Sequence, residues 1–180
     1  MTEKVENASE VLKQWDKIKG TVEGRDAVNS ILDEVPADFP PLLRAYKLQK
    51  KAAKKGFDWK TLEPVADKVR EEFGEVCEAA GKVDNVKTGD PLFTAEACQE
   101  ENKAQLHLEA EIGDLLFAVV NYARHLGVDP VIALSRANGK FYNRFTFVEQ
   151  GMKRIGLPMD GDHLESMEHL WCSAKAAEQQ

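Results

Sequence analysis

The sequence predicts an all-α protein, a bundle of about five core helices behind an N-terminal helical arm. Apolar residues recur three and four apart in segment after segment, the period of one helix face. No stretch sustains the alternation of a strand, and no glycine-rich loop joins a strand to a helix. Glycines and prolines fall between the periodic tracts, where they stop one helix and open the next.

The elements follow in order. Val11, Leu12, Trp15 and Ile18 share a helical face over residues 7–19, with Ser9 as a possible N-cap. Residues 20–41 contain Gly20, Gly24, Pro36, Pro40 and Pro41, and read as a linker with at most one short helical turn. Residues 1–37 are therefore expected to form an arm and linker, and residues 38–180 a single domain. Pro40 and Pro41 open a helix carrying Leu42, Leu43, Tyr46 and Leu48, which Gly56 stops. Asp58 is expected to cap the next helix, from about Thr61 to Ala80, with Gly81 as its stop. Gly81, Gly89 and Pro91 make residues 81–98 a long loop. A long helix follows, from about Glu100 to Leu126, ending at Gly127. Asp129 and Pro130 are a cap and a first-turn proline for a helix reaching about Ile155. Gly156 and Pro158 break it, and Asp162 or His163 starts a last helix bearing Leu164, Met167, Leu170 and Trp171.

Composition narrows the function. The formal net charge of −7 excludes general nucleic-acid binding, which needs a basic footprint. A small phosphorylated ligand stays compatible with it, provided a metal and local lysines screen the acids. Cys77, Cys98 and Cys172 form no CxxC pair and are odd in number, as expected of buried or idle thiols in a reducing cytosol. The first residues lack a basic-then-apolar leader, and no run approaches the ~18 apolar residues of a membrane span. The expectation is a cytoplasmic protein.

Two acidic motifs carry the chemistry. Glu71, Glu72 and Glu75 lie on one predicted helix, and Glu111 and Asp114 on another that runs directly into the apolar stretch Leu115 to Val120. Glu72 and Glu75, like Glu111 and Asp114, are three apart and so share a helix face, while Glu71 is turned by about 100° from Glu72. Carboxylates at the edge of a buried surface are costly unless paired or bound to metal. If the two helices pack antiparallel, their four acids can surround one or two hard divalent cations. None of His107, His125, His163 or His169 follows a glutamate by three, so a di-iron Glu-x-x-His arrangement is absent. An all-oxygen set favours Mg²⁺ or Mn²⁺. Each acid pair alone is equally at home on a solvated helix face.

Beyond the acids, the surrounding text resembles the MazG nucleoside triphosphate pyrophosphohydrolases, an all-α family with an EExxE motif followed by ExxD. The matching positions are Glu71, Glu72 and Glu75, then Glu111 and Asp114. The stretches 56–59, 113–117, 121–127, 137–141, Arg144-Phe145 and 165–171 are similar as well, so that the resemblance spans about residues 38–175. It implies that Glu72, Glu75, Glu111 and Asp114 ligate Mg²⁺, that Lys140 and Arg144 grip phosphate, and that Trp171 helps hold the nucleotide. Lys47 and Lys50 match the family pattern too. With Lys68 and Glu71, on the helix of the first motif, they complete the expected substrate-binding set. The best-known members carry two such domains in tandem, and this chain resembles the C-terminal, catalytic one. The segment 81–104 between the motifs is longer than the family leads one to expect.

The implied reaction is Mg²⁺-dependent hydrolysis of a nucleoside triphosphate to the monophosphate and pyrophosphate, a means of clearing nucleotides from the pool, with Glu72 or Glu75 as general base. The chain is expected to be a homodimer, as its relatives are, without a nucleic-acid or membrane partner. Arg44, Lys47, Lys50, Lys51, Lys54 and Lys55 form a basic run free of acids that either meets the triphosphate or is the solvated side of an amphipathic helix. The competing reading is a non-catalytic helical interaction module that binds a divalent cation.

Overall fold

The computed structural model describes residues 30–88 and 95–178. The predicted arm at 7–19 lies outside the described residues. Five α-helices form the domain: α1 (Pro41–Lys54), α2 (Glu63–Thr88), α3 (Ala95–His125), α4 (Pro130–Ile155) and α5 (Leu164–Ala177). Among the described residues there is no strand. A 3₁₀ turn, Ile31–Glu34, precedes α1, and a second, Gly161–His163, leads into α5. The first is the one short turn expected in the linker. A capping box closes it, with Ser30 Oγ accepting from Leu32 N at 3.2 Å and Asp33 accepting from Ser30 N at 2.9 Å.

Local chemistry sets most helix ends. Pro41 occupies the first turn of α1, where a missing N–H costs nothing. After Lys54 the chain turns at Gly56 with φ 87°, a left-handed conformation that favours glycine. Asp129 caps α4 by accepting from Val131 N and Ile132 N at 2.9 and 3.2 Å. Gly156, at φ 71°, ends that helix.

Two expectations are corrected. Gly81 does not stop α2, which continues to Thr88, and α3 begins earlier than expected, at Ala95. The span read as an 18-residue loop is thus mostly helix, because one glycine costs a helix only about 1 kcal/mol and long-range packing overrides it. Asp58 is not the cap of α2; its carboxylate pairs with Arg124 and His125 at the end of α3.

The helices pack as two pairs, α2 with α3 and α4 with α5, joined by α1. The most extensive interface is α2 on α3, followed by α4 on α5, with α1 laid across α3 and α4. Val65, Ala79, Val83, Ala118 and Val120 bury the α2–α3 seam, and Val148, Met152 and Ala174 the α4–α5 seam. At Gly151 the helices α4 and α5 approach so closely that an added Cβ would lie 2.7 Å from the Leu170 methyl carbons. Many large apolar side chains remain exposed on α3 and α4, among them Leu116, Val119, Ile132, Leu134, Phe141 and Tyr142. No described helix is long and apolar enough to cross a membrane. Cys77 and Cys172 are free thiols and exposed rather than buried; the Cys98 side chain lies outside the described set.

Candidate active site

The α2–α3 interface is where the acidic motifs meet. Carboxylate oxygens of Glu72 and Glu75 from α2 and Glu111 from α3 all lie within 4.8 Å of one another. The site takes this form because both motifs occupy the packed faces of two long helices, which brings their carboxylates together at the seam. Glu72 is 6% exposed, whereas Glu75 faces solvent. One Glu72 oxygen accepts from Lys68 Nζ at 2.6 Å, and the other is buried with no hydrogen-bond partner. Lys68 also reaches Glu71, at 3.0 Å. His107 Nδ1 lies 3.3 Å from Glu111, one turn along α3.

The electrostatics are those of a crowded acid cluster. A hydrogen bond shared with Glu72, then burial and the charges of Glu72 and Glu111, push the Glu75 carboxyl above its usual range. The hydrogen bonds from Lys68 to Glu72 and Glu71 raise the lysine and keep it charged. One lysine against this many carboxylates leaves negative charge uncompensated. An all-oxygen donor set with an unpartnered buried carboxylate oxygen fits a hard divalent cation. Glu72, Glu75 and Glu111 are the residues that could hold one.

Asp114 is exposed and stands outside this tight group, but it lines the same cavity as Glu72 and Lys68. The cavity has a volume of about 470 Å³. Its walls are largely apolar, with Leu48, Ala52, Trp59, Val65 and Phe117. At one side a network fixes the loop between α1 and α2. Arg124 donates to Asp58 at 2.9 and 2.6 Å and to Asn121 Oδ1 at 3.0 and 2.8 Å. His125 Nε2 lies 2.8 Å from Asp58. The Arg124 hydrogen bonds hold the Asp58 carboxyl down at about 2, with burial opposing and His125 assisting. Gln49, 8% exposed, completes the wall and donates through Nε2 to the Phe117 carbonyl at 2.8 Å.

The remaining sequence candidates lie elsewhere. Arg144 on α4 makes a fork with Glu178, with Nε 3.1 Å from each carboxylate oxygen and Nη2 2.5 Å from one. The guanidinium stands over the Trp171 ring at 5.6 Å, and Phe141 packs between Trp171 and Phe145. Lys140 is close enough to help lower the Glu178 carboxyl, behind the larger effect of Arg144. None of Lys140, Arg144 and Trp171 lines the cavity beside Glu72. Lys47 and Lys50 line a separate surface cavity with Lys51, Lys54 and Glu34, and Lys51 pairs with Glu34 there. Lys50 Nζ stands 5.8 Å above the Tyr46 ring. Gln49, Asn121 and Arg124 escaped the sequence reading. Arg124 lay within a family-like stretch, but nothing near it in sequence marks Asp58 as its partner, and an isolated glutamine in a basic helix gives no signal.

Comparison with known proteins agrees with the acidic motifs. Residues 60–146 match the family described as the MazG nucleotide pyrophosphohydrolase domain. The chain is 45% identical over 173 residues to the nucleoside triphosphate pyrophosphohydrolase of Escherichia coli K12, covering 96% of this chain and 59% of that protein. It is 34% identical over 167 residues to a nucleoside triphosphate pyrophosphohydrolase/pyrophosphatase MazG of Thermotoga maritima, covering 93% and 56%. It is 38% identical over 175 residues to the uncharacterized protein YabN of Bacillus subtilis, covering 97% and 32%. The chain thus spans about three-fifths of the length of the first two relatives, and a third of the last. The acid cluster at the α2–α3 seam lies inside residues 60–146, the stretch that matches the MazG nucleotide pyrophosphohydrolase domain.

Proposed function

We propose that the protein hydrolyses nucleoside triphosphates to the monophosphate and pyrophosphate with Mg²⁺, or Mn²⁺ in its place, and so clears nucleotides from a cytoplasmic pool. One observation carries the reading: carboxylates from two helices converge within 4.8 Å, one with a buried oxygen lacking a partner, beside a cavity of nucleotide size. The pyrophosphohydrolase names of the Escherichia coli and Thermotoga maritima relatives support it.

Glu72, Glu75, Glu111 and, from the cavity side, Asp114 are the proposed ligands. A divalent cation held by these residues would neutralise the triphosphate and lower the pKa of a water. Lys68 positions Glu72 through its 2.6 Å ion pair and adds positive charge beside the phosphate path. Glu75, the solvent-facing acid of the cluster, is placed to accept the proton of the attacking water. Attack at the α-phosphorus expels pyrophosphate and leaves the monophosphate. Lys140, Arg144 and Trp171 form a second basic and aromatic cluster that the family pattern assigns to phosphate and nucleotide. There Glu178 already neutralises Arg144, so phosphate binding requires exchange of that pair.

The exposed apolar faces of α3 and α4 support a homodimer. Few of the described side chains are fully buried, and a second copy covering the exposed ones would give the 20.1 kDa chain a second core. The test is product analysis with the eight common ribo- and deoxyribonucleoside triphosphates, with Mg²⁺ and with EDTA. The proposal requires monophosphate and pyrophosphate in the presence of metal only. Diphosphate and orthophosphate would refute the bond assignment, and a folded, Mg²⁺-binding protein without turnover would leave a binding module.

A further inference from the structure

Gln49 is a buried polar side chain of the cavity wall that the phosphate chemistry leaves unused. It sits in the middle of α1, 8% exposed, and its Nε2 donates to the Phe117 carbonyl at 2.8 Å. That bond fixes the sense of the amide, because only the nitrogen end can donate to a carbonyl. Its other end, Oε1, is buried and has no hydrogen-bond partner. A buried acceptor without a donor is costly and rare, and calls for an explanation.

Of the other polar groups of this wall, the second Glu72 oxygen, also without a partner, and Asp114 belong to the proposed metal end. Arg124 is taken up by Asp58 and Asn121, and Lys68 by Glu71 and Glu72. Arg124 and Lys68, the wall's charged donors, are thus directed elsewhere, which leaves the donor for Gln49 Oε1 to what the cavity receives. Its volume of about 470 Å³ falls in the usual range of small-molecule sites, roughly 300–1,000 Å³. Leu48, Val65, Trp59 and Phe117 supply apolar surface for a planar ring, while Glu72, Asp114 and Lys68 mark the phosphate end.

We propose that this cavity takes the nucleobase and that Gln49 Oε1 selects bases with an exocyclic amino group, 6-aminopurines and 4-aminopyrimidines, by accepting one amino N–H. The inference rests on the pyrophosphohydrolase reading above. An amino group satisfies the orphaned oxygen and adds no acceptor to the apolar wall. A keto oxygen at the same place sets two acceptors against each other. Gln49 is thus a specificity-determining residue, and its effect is largest where the rest of the base is unchanged.

The experiment uses the full chain and two matched pairs of substrates: ATP against purine riboside triphosphate, and CTP against pyrimidin-2-one riboside triphosphate. Each second member lacks only the amino group. Wild type should favour the amino member of at least one pair by about tenfold or more in kcat/KM. Gln49→Leu and Gln49→Met, checked for a folded circular-dichroism spectrum, should bring that ratio close to one. A wild-type ratio near one in both pairs overturns the proposal without any variant, and so does a ratio that survives both substitutions. If wild type hydrolyses no triphosphate, the pyrophosphohydrolase reading fails separately. Calorimetry with AMP against purine riboside monophosphate then decides the pocket: tighter AMP binding that Gln49→Leu abolishes supports it, and equal or absent binding overturns it.

Discussion

Replacing Asp58 with asparagine removes a charge and almost no volume. In the folded protein the Arg124 hydrogen bonds, aided by His125, lower the carboxyl from 3.8 to about 2. The side chain is only a quarter exposed, so water screens the pair weakly. Linkage then gives the charged form about 2 kcal/mol of stability at neutral pH. Because the folded value is the depressed one, that stability is fully present above the unfolded value near 4. It is lost as pH falls toward 2, with about half remaining at pH 3. Asp58→Asn should therefore cost about 2 kcal/mol at pH 7, a drop of roughly 4–8 °C in Tm for a chain of this size. The assay is urea unfolding of wild type and variant at pH 7, 5 and 3, with Arg124→Met and the double variant completing a cycle. Equal stability at pH 7 would refute the argument, as would a deficit that stays constant down to pH 3.

Other consequences follow from the same geometry. Glu75→Gln should raise the Tm of the metal-free protein at pH 7, since it removes a like charge. The gain should shrink on acidification, because the raised Glu75 carboxyl is protonated early in wild type as pH falls; differential scanning calorimetry in EDTA reads both. The same variant should lose most of the Mg²⁺-induced rise in Tm that wild type shows. Lys68→Met leaves the buried Glu72 without its cation and should cost about 1–2 kcal/mol, less than a fully buried pair because Lys68 is partly exposed. Mg²⁺ should recover part of that loss in a urea titration. Sedimentation equilibrium should give twice the 20.1 kDa chain mass, and Leu116→Glu on the exposed face of α3 should shift it toward monomer.

The helical class, the order of the helices and most of their ends were legible because local chemistry sets them: Pro41 in a first turn, Asp129 as a cap, Gly56 and Gly156 at left-handed turns. Gly81 misled because its place in α2 is decided by packing on α3, which a one-residue rule does not see. The acid cluster was legible for the reverse reason. Spacing of three on each of two helices already puts each pair on one face, and only their antiparallel meeting was left to the fold. Asp114, drawn into the same set by its spacing from Glu111, faces the cavity instead of the tight group. The partners of Asp58 lie 66 and 67 residues away and carry no periodic signal. Gln49 is of the same kind, since an orphaned oxygen exists only once α1 lies against α3.

Water attack on the α-phosphorus of a nucleoside triphosphate at the carboxylate cluster is the reaction proposed above. It is tested most directly by turnover in ¹⁸O-labelled water with Mg²⁺, for wild type beside Glu72→Gln and Glu111→Gln. The account requires one label in the nucleoside monophosphate, unlabelled pyrophosphate, and loss of the labelled product in both folded variants. Label in pyrophosphate or orthophosphate, or undiminished labelling by either variant, would contradict it.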